Sequence, residues 1–196
     1  MGEEKTEEPT EATPGEVGVA KTKMGQPSAS EESASQYPDM DLCQDIHKLS
    51  VKASVGDNEL EQLQTKSFER VAKELENPSL YRHMQQSLQV TGSMSESDLS
   101  SLESKHAKTL EELEAKVEEA KENAGDMEVM DARIEISRFA AKSLSKDQAL
   151  DAYKKLLDLP KISSGKKIDA LMESSRVASF YGDTGKSDEY IDSVCW

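Results

Sequence analysis

The chain has 196 residues, with 39 acidic against 24 basic side chains and a formal net charge of −15. That charge repels phosphate backbones and anionic lipid heads, and so argues against nucleic acid or a membrane surface as the main partner. Hydrophobic residues make up 35% and aromatics 5%, too little for a thick globular core; the balance fits a tail joined to a thin layer of amphipathic helices.

Residues 1–36 hold eight Glu, three Pro and no aromatic. Nothing in them can offset the entropy of ordering, so a disordered acidic tail is expected. No apolar h-region follows Met1 and no apolar run approaches 18 residues, so neither a secretory signal nor a membrane span is expected. Met1-Gly2-Glu3-Glu4-Lys5-Thr6 fits the loose myristoylation pattern, but Glu3 and Glu4 weigh against stable anchoring.

Short helices are predicted over 37–92. Pro38 excludes helix from Tyr37, and Asp39 can cap a helix carrying Met40, Leu42, Cys43, Ile46 and Leu49 at helical spacing. Val51 to Asp57 reads as a break. Leu60, Leu63, Ser67, Val71 and Leu75 mark a second helix that stops at Asn77-Pro78, and Leu80, Tyr81, Met84 and Leu88 a third that ends near Thr91-Gly92.

A long amphipathic helix is predicted over 95–125. Ser95 and Asp98 resemble a capping box with Asp in place of Glu. Leu99, Leu102, His106, Leu110, Leu113, Val117 and Ala120 form one stripe, and Gly125 is expected as the left-handed residue closing the helix.

Residues 126–196 are predicted to form tetratricopeptide-like helix pairs. From Met127 to Leu144 apolar residues fall on two sides, Val129, Ala132, Ile136, Phe139 and Ala140 on one and Met130, Ile134 and Ala141 on the other. Such a helix needs neighbours on both sides, as stacked repeats provide. Asp147 is expected to cap the next helix, with Ala149, Leu150, Tyr153, Leu156 and Leu157 as its stripe and Pro160 as its stop. Ser163-Ser164-Gly165 reads as a loop. Ile168, Leu171, Met172, Ser175 and Ala178 mark a further helix, ended by Gly182-Asp183-Thr184-Gly185, and Lys186 to Val194 a last short one.

Glu135-Ile136-Ser137-Arg138-Phe139-Ala140 recurs as Glu173-Ser174-Ser175-Arg176-Val177-Ala178 at an offset of 38 residues, within the range of helix–turn–helix repeats. Ala149 and Tyr153 have the small-then-aromatic spacing of such a unit's second helix. The fold class expected is therefore all-α, a tetratricopeptide-like helical-repeat solenoid behind a disordered acidic tail.

Longer runs are more specific. Glu119 to Ala132, Lys146 to Lys155, Gly165 to Met172, and Arg176 with Phe180-Tyr181-Gly182-Asp183 resemble, in order and spacing, the amino-terminal region of one 26S proteasome lid family, regulatory particle non-ATPase subunit seven. Tyr37-Pro38-Asp39-Met40 and Asn77-Pro78 with Tyr81 extend the resemblance, which runs over about residues 37 to 192. The resemblance implies a structural, non-catalytic subunit of the lid, supporting ubiquitin-dependent degradation in cytoplasm and nucleus. Its partners would be other lid subunits and regulatory-particle proteins, with no nucleic acid, membrane, small-molecule substrate or cofactor. The family also carries a winged-helix module; this chain stops at Cys195-Trp196, soon after the second repeat starts, so that module is expected to be absent. A helical adaptor or a signalosome-type scaffold outside the proteasome is the alternative.

The residues expected to matter are repeat-packing positions: Ala132, Ile136, Ala149, Tyr153, Leu171, Ala178 and Tyr181. Chemistry is not expected. Cys43 and Cys195 form no CxxC and read as reduced thiols. His47, His83 and His106 lack metal spacing. Cys43 with His47 four residues on is the nearest approach to a nucleophile and base, but on a helix exterior without an oxyanion site. Gly182-Asp183-Thr184-Gly185 matches an aspartic-protease motif by letters alone, and Gly165-Lys166-Lys167 lacks the upstream glycine of a phosphate loop.

Overall fold

The computed structural model describes residues 38–51 and 56–194. The acidic tail, Tyr37, most of the break after Val51 and the terminal Cys195-Trp196 lie outside the described residues. Among the described residues eight α-helices follow one another: α1 (Met40–Ser50), α2 (Asp57–Arg70), α3 (Pro78–Leu88), α4 (Glu96–Asn123), α5 (Asp126–Ser143), α6 (Lys146–Leu157), α7 (Ser164–Phe180) and α8 (Thr184–Val194). No strand occurs among the described residues, and the fold is an all-α helical repeat.

From α4 onward each helix packs on the next: α4 on α5, α5 on α6, α6 on α7, α7 on α8. This answers the two-sided pattern of α5, which lies between α4 and α6. Leu113 and Val117 of α4, Met130, Ile136 and Ala140 of α5, Ala149, Leu150, Tyr153 and Leu156 of α6, and Ala170 and Val177 of α7 share one buried cluster. A second cluster holds Leu42, Phe68, Val71, Leu75, Leu80, Tyr81, Met84 and Leu99, together with Phe180 from the far end of α7. The amino-terminal helices thus fold back onto the end of the repeat.

Local chemistry sets the helix ends, and several differ from the sequence expectation. Asp39 caps α1 as expected, its carboxylate accepting from the amides of Asp41 and Leu42. At Ser95 half a capping box forms: Ser95 Oγ accepts from the Asp98 amide at 3.2 Å. The shorter Asp98 side chain takes the Ser95 hydroxyl at 2.7 Å instead of the backbone N–H that a Glu would reach. Gly125 is not left-handed. It is extended, with φ −121° and ψ 179°, and opens α5 rather than closing α4; Glu128 reaches back to accept its N–H at 3.0 Å. The cap of α6 is Ser145, not Asp147. Ser145 Oγ accepts from the Gln148 amide and Gln148 Oε1 accepts from the Ser145 amide, a reciprocal arrangement that leaves Asp147 as favourable first-turn charge.

Ser163-Ser164-Gly165 is not a loop: Ser163 caps α7 by accepting from the Lys166 amide, so Ser164 and Gly165 are helical. In α8 the helix begins at Thr184 rather than Lys186, because Asp183 accepts from the Lys186 amide. The second predicted helix ends in a π-turn, Val71–Leu75, closed by Glu76 at φ 48°. Ile168 and Met172, expected in the stripe of α7, are 44% and 48% exposed. The buried face of α7 is instead Ala170, Leu171, Ser174, Ser175, Val177 and Ala178.

Candidate interaction site

The 38-residue period is a period of structure. Asp126 and Ser164 open the first helices of two successive pairs, and Lys146 and Thr184 open the second helices, all at the same offset. The capping positions recur with it, Gly125 with Ser163 and Ser145 with Asp183.

The pairs are joined by a partly buried polar lock. Tyr153 of α6 is 1% exposed, and its hydroxyl donates to Glu173 Oε2 of α7 at 2.7 Å. Arg138 of α5 stands 4.0 Å from the other Glu173 oxygen. Burial pushes the Glu173 carboxyl above the usual range. Burial, with the facing carboxylate, pushes the Tyr153 phenol far up as well, so Tyr153 stays a donor at any physiological pH. Lys146 at the start of α6 pairs with Asp183 in the α7–α8 turn at 3.1 Å, and Lys161 after α6 pairs with Asp126 at the start of α5 at 2.6 Å.

Of the residues expected to pack the repeat, Ile136, Ala149 and Tyr153 are buried in the cluster of α4 to α7, and Ala132 packs against it half-buried. Leu171 and Ala178 are buried on α7, one turn either side of Ser175, which meets Ser187 of α8. Tyr181 is half-buried and touches both clusters; burial pushes its phenol up to about 12. The structure thus brings the first four together, places two on the buried face of α7, and sets the last where the two clusters meet. Ile191 of α8 is 43% exposed, although Tyr153, its counterpart one repeat earlier, is buried.

Cys43, His83 and His106 each touch this array, but singly. The Cys43 thiol donates to the Phe180 carbonyl at 3.5 Å, and burial pushes its pKa up, the reverse of what an attacking thiolate requires. His47 is exposed. His83 stacks edge-on against Tyr181 and His106 against Phe139. Gly182 and Asp183 lie in the turn between α7 and α8, with Gly182 at φ 74°, while Thr184 and Gly185 open α8. Among the described residues no group of three or more His, Cys, Asp or Glu could hold a metal, and no helix is long and apolar enough to cross a membrane.

The family described as 26S proteasome subunit RPN7 matches residues 96–194, just over half of the chain and the whole succession from α4 to α8. The chain belongs to the RPN7 family. It is also similar to the 26S proteasome non-ATPase regulatory subunit 6 of Caenorhabditis elegans, 26% identical over 163 residues. That alignment covers 82% of this chain and 38% of the relative, so the chain spans well under half the length of the protein it matches.

Sequence reasoning missed Glu173 and Arg138, which lie within the matched residues, and Asn77, which precedes them. Glu173 and Arg138 both lie in the repeated hexapeptide, so their recurrence beside Glu135 and Arg176 was the available signal. Asn77 was read only as a helix stop. It accepts from the Leu80 amide to cap α3, and its amide also donates to the carbonyls of Lys142 at 2.8 Å and Leu144 at 3.2 Å. One buried side chain thereby caps α3 and closes the end of α5, with no side-chain partner for a sequence pattern to reveal.

Proposed function

We propose that this chain is a structural, non-catalytic component of the proteasome regulatory-particle lid. In this reading it supports ubiquitin-dependent degradation in cytoplasm and nucleus through protein–protein contacts of its helical arm, with other lid subunits as its partners. The observation that carries the reading is the coincidence of the family match with the repeat array: residues 96–194 are α4 to α8. Ala132, Ile136, Ala149, Tyr153, Leu171, Ala178 and Tyr181 act by fixing the spacing of the array, so their loss is felt as loss of assembly rather than of a reaction rate. The raised pKa of Cys43, whose thiol is bonded to the Phe180 carbonyl, supports a role without catalysis.

Native size-fractionation of cell extract, with mass spectrometry of whatever co-purifies with the chain, tests this. Lid subunits and proteasomal ATPases in the same large fractions are expected. A small species free of lid subunits would overturn the reading and move the chain to a free helical adaptor; co-purification with signalosome subunits alone would place it in that complex instead.

A further inference from the structure

We propose that the cleft at the α4–α5 turn is a docking site for an acidic peptide segment of a partner protein, one aliphatic side chain filling the cleft while flanking carboxylates meet the lysines around it. The cleft holds about 420 Å³ and lies between the end of α4, the start of α5 and the connection from α6 to α7. The 38-residue period breaks here. Leu157 ends α6 and its counterpart in α4 is Glu119, yet α4 runs on to Asn123. That extra turn forms one wall. The other is the connection 158–163, where Pro160 prevents continued helix and the Leu159 and Ile162 amides donate to the Leu156 and Leu159 carbonyls. The cleft is thus pre-formed, as ligand sites usually are. Its apolar lining is Ala120, Val129, Met130, Leu159 and Ile162, with Met130 buried and the other four half-buried.

Charge sets the occupant. Residues 154–167 carry five lysines and one aspartate in a chain whose net charge is −15. Lys154 and Lys155 lie in the last turn of α6, Lys161 lines the cleft, and Lys166 and Lys167 lie in the first turn of α7. Lys154, Lys166 and Lys167 have no ion-pair partner among the described residues. Lys161 pairs with Asp126, and Lys121, also at the cleft, with Glu118; all four are exposed. Such pairs contribute little and exchange readily for a ligand carboxylate. The Glu128 carboxylate at this end is taken up by the Gly125 amide. Exposed charges at physiological salt are screened beyond about 8 Å, so a ligand in the cleft feels these lysines more than the acidic surface elsewhere. Cleft and lysines belong to this chain itself, and the docking site stands whether or not the chain joins the lid.

Fluorescence anisotropy of the full chain with a labelled octapeptide, one leucine flanked by aspartates and glutamates, tests the site. Saturable binding at about 10–100 μM is expected from one buried side chain and a few screened ion pairs. Alanine in place of the leucine should weaken the probe about tenfold. Reversing three charges together, Lys161→Glu, Lys166→Glu and Lys167→Glu, should weaken binding at least about tenfold, and about 0.5 M salt should act on the wild type in the same direction. Ala124→Trp, at an exposed lining position, should fill the cleft and abolish binding, with circular dichroism and thermal unfolding as in the wild type. Equal binding of the leucine and alanine probes, or binding that survives the charge reversal, overturns the proposal. So does displacement of the probe by an unlabelled peptide of residues 1–36 at lower concentration than by the unlabelled probe, which would give the cleft to this chain's own acidic stretch. A dimer that dissociates as the probe binds would give it to a second copy and overturn the proposal equally.

Discussion

Tyr153 is held at both ends, its ring by the apolar cluster of α4 to α7 and its hydroxyl by Glu173. Tyr153→Ala should lower stability by about 3 kcal/mol, through lost burial and the cavity left behind. Tyr153→Phe keeps the ring and the Arg138–Glu173 pair but takes the phenol donor from Glu173 Oε2, for a smaller loss of about 1–2 kcal/mol. Urea unfolding separates the two variants, and a loss below about 0.5 kcal/mol for the alanine variant would mean that α6 is not packed through this ring. His106 gives a second test at the same scale. It is 4% exposed between α4 and α5, with Nδ1 unpartnered in the interior. Phe139 and the backbone of Ser143 meet it from α5, Glu76 faces it from the turn before α3, and Lys105 and Glu103 from its own helix. Burial pushes its pKa down from 6.5, so between the folded and unfolded values the unfolded chain takes a proton that the native state refuses. Stability from this site is complete above the unfolded pKa and is lost as pH falls below it. His83 is shifted the same way, so the informative quantity is a difference: His106→Gln should lose less stability than the wild type between pH 7.5 and pH 5.5. Equal losses would show that His106 takes its proton in the folded state unhindered.

Helix ends carry the next level of the argument, and Asn77 joins two of them. A plain N-cap accepts Asp as readily as Asn. Asn77, however, also donates to the carbonyls of Lys142 and Leu144, and a carboxylate there would face two oxygens. Asn77→Asp should therefore destabilise by about 3 kcal/mol or more, and at least as much as Asn77→Ala, whereas a cap-only role predicts almost no effect. Thermal unfolding of the two variants decides between these outcomes. The same contrast explains which elements the sequence discloses. The stripe from Leu99 to Ala120 announces α4, because period and burial coincide over many turns. The start of α6 was misplaced by two residues because Ser145 and Asp147 are both competent caps, and only the reach of Gln148 back to the Ser145 amide selects the first. Gly125 was misread because a glycine between helices serves equally as the end of one or the start of the next; here Glu128 decides it.

At the scale of the whole molecule, the repeat was legible and its closure was not. The hexapeptide recurrence, and the apolar residues on two sides of α5, follow from stacking, which leaves a periodic trace in the chain. The contact of the amino-terminal helices with the end of α7 brings Cys43 to the Phe180 carbonyl, 137 positions away, and leaves no periodic trace at all. Tyr181 is where this closure is concentrated, since it packs against both apolar clusters and against the ring of His83. A linear repeat array in which each unit touches only its neighbours unfolds piecemeal, whereas an array closed by a shared residue unfolds as one body. Tyr181→Ala should thus do two things: remove about 2–3 kcal/mol of packing, and loosen the coupling between the clusters, so that the urea transition broadens and its slope falls. Tyr181→Phe, which keeps the ring, should leave the slope intact. A Tyr181→Ala variant that unfolds at lower urea with an unchanged slope would place the coupling elsewhere, at Asn77 or Phe180, and reduce Tyr181 to an ordinary packing residue.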